Sequence, residues 1–112
     1  MIATRGYVPD TSDVVWLAID PQVGHEQAGH RPALVISPAS YNGKTGLMVC
    51  CPMTTSINGH PFEVVTQVDG AECAVLSEQV KSLNWKVRKA KKNTIVLADV
   101  MLHVRAKMKA IC

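Results

Sequence analysis

Apolar residues gather along this chain in short runs, and turn-forming residues separate the runs at regular intervals. The run DVVWLAID (residues 13–20) is rich in β-branched and aromatic side chains and predicts a strand. PALVISP (32–38) predicts a second strand whose ends are set by its flanking prolines. YNGKTG (41–46) carries an Asn-Gly turn signal and predicts a tight connection into the strand LMVCCPMT (47–54). A second Asn-Gly in SINGH (56–60) predicts a turn before FEVVTQ (62–67), which alternates like a half-buried strand. VDGAE (68–72) reads as another turn. CAVLS (73–77) and QVKSLNW (79–85) then read as two short strands or one bent strand.

The period changes near the end. Apolar residues at Leu97, Met101, Val104, Met108 and Ile111 alternate four and three apart, which lines one face of a helix. Arg105, Lys107 and Lys109 are expected on the outer side, where they favour the C-terminal end of the helix dipole. The fold class that follows is mostly β (α+β): a small antiparallel barrel or sandwich with a C-terminal α-helix. A chain of 112 residues fits one domain over 1–112, with a modest stability margin that dimerisation would help.

Composition narrows the setting. Hydrophobic content of 47% belongs to a folded protein. The start, MIATRGYVPD, lacks the basic-then-apolar pattern of a secretory signal, and no run approaches the roughly 18 apolar residues that span a bilayer. A cytoplasmic location is expected, with no membrane partner. In that setting Cys50, Cys51, Cys73 and Cys112 read as reduced thiols, mostly buried as small apolar side chains. Cys50 and Cys51, adjacent on a strand, should point to opposite faces.

Net charge is only +3, but from Lys81 onward there are nine basic residues and one acid, Asp99. The densest stretch, KVRKAKK (86–92), is a solvated face or turn, or else the surface that a phosphate polymer or an acidic protein partner requires.

The segment PQVGHEQAGHRP (21–32) carries more ionisable chemistry than a corner needs. Its two histidines lie five apart and Gly29 interrupts them, so they cannot share one helical face as zinc-protease ligands do; no metal site is expected. There is no Gly-x-Ser-x-Gly and no phosphate-cradling glycine loop, and the cysteines sit in apolar runs that disfavour a thiolate. Phosphodiester cleavage that uses the 2′-hydroxyl of RNA as nucleophile fits better. Arg31 has the planar fork that matches phosphate oxygens, Glu26 is a base or an arginine partner, and His25 and His30 move protons near neutrality. The residues equally allow a surface ion pair of Arg31 with Glu26 and two solvated histidines.

GHEQAGHRPALVISP (24–38) resembles the signature of the MazF/PemK/Kid family of bacterial toxins, in which Glu-Gln-x-Gly-x-Arg-Pro precedes an apolar strand. The likeness continues in order through YNGKTG, CCPMTT, HPFEVV, LSEQVKSLNW and the terminal helix, and is strongest to the MazF branch. It implies an SH3-like barrel with a C-terminal helix, working as a homodimer with RNA along the dimer interface. The implied function is that of a type II toxin: a sequence-specific endoribonuclease that cuts single-stranded RNA, including mRNA, without metal or other cofactor. The products would be 2′,3′-cyclic phosphate and 5′-hydroxyl ends, with growth inhibition as the outcome. The implied protein partner is a MazE-like antitoxin whose acidic, partly apolar C-terminal tail fills the groove.

By position, the resemblance assigns Arg31, Thr54 and Glu26 to catalysis, and His25, His30, Glu78, Gln79 and Lys81 to RNA contact. Leu76, Ser77 and Glu78 stand where the Kid branch has an Arg-x-Asp pair, so Arg31 is left to carry the cationic role. The alternative is a CcdB-like poison of DNA gyrase, which shares the fold and is no nuclease. Trp16 and Trp85 are either base-stacking platforms or core residues, with core the stronger reading.

Overall fold

A computed structural model describes residues 6–18 and 30–111. Among the described residues seven strands run in the order β1 (Asp13–Ala18), β2 (His30–Val35), β3 (Leu47–Thr54), β4 (Glu63–Val68), β5 (Ala71–Leu76), β6 (Lys81–Asn84) and β7 (Lys91–Ile95). Helix α1 (Ala39–Thr45) joins β2 to β3, a 3-10 turn at Ser77–Gln79 joins β5 to β6, and α2 (Ala98–Ile111) closes the described chain. All pairings are antiparallel, in the spatial order β4-β5-β3-β2-β1-β7, with β6 also paired to β3. The sheet curls into a half-barrel, as expected for the fold class, and its edge strands β4 and β7 are not paired to each other.

β3 organises the sheet. One edge pairs with β2 through Cys50, Cys51 and Pro52. The other edge pairs with β6 over residues 47–50 and then changes partner to β5 at Met53 and Thr54. That change of partner opens the sheet beside the end of β3.

Period-two alternation divides the apolar residues between the two faces of the sheet. Val14, Leu34, Cys51, Met53, Val64 and Val75 form one cluster with Val100, Met101 and Val104 of α2. Val15, Leu17, Ala33, Val35, Met48 and Cys50 form the second, with Trp85. Adjacent Cys50 and Cys51 therefore enter different clusters, as their neighbouring positions on a strand require, and all three described cysteines are buried free thiols. Cys112 lies outside the described residues.

Four local expectations are corrected. YNGKTG is not a turn: Asn42 and Gly43 lie inside α1, and the left-handed residue is Gly46 at its C-cap (φ 75°). The helix prevails because the Asn42 amide is spent on tertiary bonds, donating to Pro9 O (2.7 Å) and Ser37 O (3.0 Å), and is unavailable to a local turn. The basic run contributes a strand as well as a turn. Lys91–Ile95 pairs with β1 along the sheet edge, where lysines discourage pairing with a further chain.

In α2 the packed stripe is Val100, Met101 and Val104, with Met108 beside it. Leu97 is 74% exposed; it precedes the helix, and its carbonyl accepts the N–H groups of Val100 and Met101. Nor are all the helix cations turned outward. Arg105 Nη2 donates to Ile36 O (3.2 Å) and Lys107 Nζ to Pro61 O (2.6 Å), tying α2 to the sheet side.

Candidate functional site

β2 enters the sheet with His30 opposite Ala18 and Arg31 opposite Leu17. On its other edge Ala33 pairs with Pro52. Two residues further along each strand stand Arg31 on β2 and Thr54 at the end of β3. Arg31 shares the parity of Ala33 and Val35, and Thr54 that of Cys50 and Pro52, so both belong to the face that holds the Trp85 cluster.

On that face a cavity of about 530 Å³ opens where β3 changes partner. Arg31 and Thr54 line it together with Gln79 and Lys81; Ser56, Asn58 and His60 line it from the β3–β4 loop, and Arg88 from the turn before β7. Its floor is apolar: Leu17, Ala33, Cys50 and Leu83. Three basic side chains (Arg31, Lys81, Arg88) and no carboxylate line it among the described residues. Cations over a low-dielectric floor focus positive potential, which suits a phosphate diester.

A second cavity, of about 540 Å³, lies beyond Arg31 and Thr54 and is walled by Trp16, Val68, Cys73 and Asp69. Arg31 and Thr54 line both cavities and stand between them. Trp16 is half-buried in this wall. Trp85 is core, its indole N–H donating to Asn42 O (2.9 Å).

The chemistry of these groups is specific. Thr54 Oγ accepts the Ser56 N–H (3.0 Å), which shapes the start of the loop and leaves the hydroxyl proton to donate. Glu63, buried at the start of β4, takes the N–H groups of Asn58 (3.1 and 3.2 Å) and Gly59 (2.7 Å), and Gly59 supplies the positive φ (78°) of that bend. Desolvation works to raise the Glu63 carboxyl, but those N–H groups and nearby His60 outweigh it and hold it below the ordinary glutamate range. Cys50, on the cavity floor, is pushed up to about 11 by burial, against the pull of Lys81 and Arg88. At neutral pH it is a thiol and no nucleophile.

The structure thus gathers Arg31, Thr54, Gln79 and Lys81 into one cavity wall. Exposed His30 and Glu78 are not among the lining residues, and the Glu78 carboxylate stands 3.5 Å from His60 Nε2 instead. Glu26 and His25 lie outside the described residues. Sequence reasoning did not single out Ser56, Asn58, His60 or Arg88. The available signal was His60 three residues before Glu63, in a segment read only as a turn.

Residues 10–112 match the model of the PemK-like, MazF-like toxins of type II toxin–antitoxin systems. The chain belongs to that family. It is 46% identical over 102 residues to the endoribonuclease toxin MazF of Escherichia coli (strain K12), covering 91% of this chain and 92% of that one. It is 31% identical over 103 residues to the endoribonuclease PemK of Escherichia coli, covering 87% and 77%. A crystal structure of MazE–MazF (Form-II) from Deinococcus radiodurans superposes with a TM-score of 0.83 at 42% identity, over 95% of this chain and 96% of that chain. The half-barrel with its terminal helix is therefore the PemK/MazF-like toxin fold, and among the described residues no helix is long and apolar enough to cross a membrane.

Proposed function

We propose that this toxin is a sequence-specific endoribonuclease that cuts single-stranded RNA, mRNA included, without a metal ion. The observation that carries the reading is that Arg31 and Thr54 together line a cation-lined cavity with no carboxylate among its described lining. The reaction needs few groups. The substrate 2′-oxygen attacks phosphorus and the bond to the 5′-oxygen breaks. The 2′-proton goes to a base and the leaving oxygen gains a proton, giving 2′,3′-cyclic phosphate and 5′-hydroxyl ends. Arg31 neutralises the dianionic five-coordinate phosphorus through its two-pronged guanidinium, and Thr54 donates its hydroxyl to the same phosphate. Glu26 serves as base or holds the arginine. Gln79 and Lys81 contact flanking nucleotides, as do His25 and His30 in this reading; Glu78, 3.5 Å from His60 Nε2, acts through that ring.

The partners follow from the same chemistry. A cavity rimmed by cations accepts the acidic tail of a MazE-like antitoxin in competition with RNA, and the working unit is a cytoplasmic homodimer of single-domain chains. The relatives' names and the solved MazE–MazF complex support this reading.

The test uses purified protein, single-stranded RNA and EDTA. Cleavage with cyclic-phosphate ends is expected, and sequencing those ends reads out the cleavage motif. Arg31→Ala should lower the rate a hundredfold or more, about 3–4 kcal/mol, the usual cost of losing one preorganised transition-state donor. Intact RNA together with gyrase trapped on DNA would overturn the reading in favour of a CcdB-like poison.

A further inference from the structure

Two wall segments of the first cavity come from distant parts of the chain. Asn58 and His60 sit on the β3–β4 loop, and Gln79 sits at the end of the 3-10 turn. His60 stands between them. The Phe62 N–H donates to its Nδ1 (3.3 Å), so Nε2 is the ring nitrogen left to donate. That nitrogen faces two carboxylates, Glu78 at 3.5 Å from the turn and Glu63 at 3.6 Å from β4. Glu63 is already committed to the N–H groups of Asn58 and Gly59, which anchors it to the loop. On the outer side, Lys107 of α2 holds Pro61 O at 2.6 Å.

We infer that His60 is a positioning residue of the RNA site, coupling the 3-10 turn that carries Gln79 to the loop that carries Ser56 and Asn58. This role rests on the endoribonuclease reading. Both ring nitrogens are engaged within the protein, so His60 acts by setting the distance between two walls before RNA arrives. The role concerns substrate binding, because Arg31 and Thr54 are placed by β2 and β3 and do not depend on this contact.

Two substitutions separate the ring's functions. In His60→Asn the short amide still accepts the Phe62 N–H but cannot reach Glu78. In His60→Gln the amide nitrogen extends to about the position of Nε2 and restores the link. Steady-state cleavage of a single-stranded RNA oligonucleotide containing the cut site is measured for both, for Glu78→Ala, and for Glu78→Ala combined with His60→Asn.

His60→Asn should raise KM roughly three- to tenfold, the range of one polar contact, with a smaller change in kcat. His60→Gln should recover most of the loss, and the double variant should be no worse than His60→Asn alone, because the two residues act through one contact. Glu78→Ala, at an exposed position, tests the same link if His60→Asn fails to fold. Additive effects, a fall in kcat with KM unchanged, or equal defects in the asparagine and glutamine variants would each overturn the role. A native chain that leaves RNA intact overturns the nuclease reading and this role with it. A native chain that cuts RNA while His60→Asn keeps the native KM overturns this role alone.

Discussion

Asn42 is fully buried, and its side chain joins three segments. The amide nitrogen donates to Pro9 O at 2.7 Å and Ser37 O at 3.0 Å, and Oδ1 accepts the Ser37 hydroxyl at 2.6 Å. Ser37 Oγ in turn accepts the Val49 N–H (2.8 Å) on β3. Asn42→Asp keeps shape and volume and replaces the two-proton amide with an oxygen that faces two carbonyls. A neutral carboxyl can donate to only one of them. One hydrogen bond is then lost and one buried carbonyl left unpartnered, at a cost of about 2 kcal/mol.

At pH 7 a further cost arises. The buried acid is held neutral in the fold, whereas the unfolded chain ionises it near pH 4, and three pH units correspond to about 4 kcal/mol. The folded-state pKa is raised, so the added penalty is absent below about pH 4 and grows as pH rises toward 7. Against a typical total of about 5–15 kcal/mol, this approaches unfolding at neutral pH. Urea midpoints of the native chain and the variant at pH 4, 5.5 and 7 measure the difference. A penalty under about 1 kcal/mol, or one that stays flat between pH 4 and 7, refutes the hydrogen-bond assignment.

The native chain should respond to pH in the opposite sense. Glu63 titrates below its ordinary 4.5 for the reasons given above. Asp10 titrates below 3.8 because the Ala39 N–H (2.9 Å) and then the Thr11 N–H (2.8 Å) hold its carboxylate. Depressed carboxyls contribute stability above their unfolded values and lose it as pH falls through the folded ones. The urea midpoint should therefore hold from pH 7 to about pH 5 and drop below about pH 4.5; a midpoint that rises on acidification contradicts this. The thiols give a separate check. Burial first, then Cys50 and Glu78, pushes Cys51 up to about 12, and burial raises Cys50 to about 11 and Cys73 above its ordinary value. Iodoacetamide at pH 8 should leave these three unlabelled in the native chain and label them in urea, as peptide mass mapping reads out; rapid native labelling of any one overturns the burial assignment.

Much of the architecture was legible in the linear pattern, because alternation and turn residues act locally. The strands at 13–18, 32–35, 47–54 and 63–68, the helix and the opposed faces of Cys50 and Cys51 all follow from period and punctuation. β7 was not legible. Its lysines are exposed, and what makes Lys91–Ile95 a strand is the free edge of β1 and an ion pair of Lys92 with buried Asp13 at 3.7 Å. Helix α1 is similar, since its Asn-Gly pair is a turn signal until Pro9 and Ser37 claim the amide.

The site divides along the same line. Short-range sequence determined which residue types are available: an arginine at a strand entry, a threonine at a strand end, and a basic stretch from Lys81 onward. Only the tertiary structure decided which of them meet. The pairing of β2 with β3 brings Arg31 and Thr54 to one cavity, and the partner change of β3 from β6 to β5 opens the cavity that admits Gln79 and Lys81. The same packing turns Glu78 toward His60, two residues whose pairing no local spacing signals. Periodicity is a property of neighbouring positions, whereas a cavity wall is made by residues that only the sheet brings together.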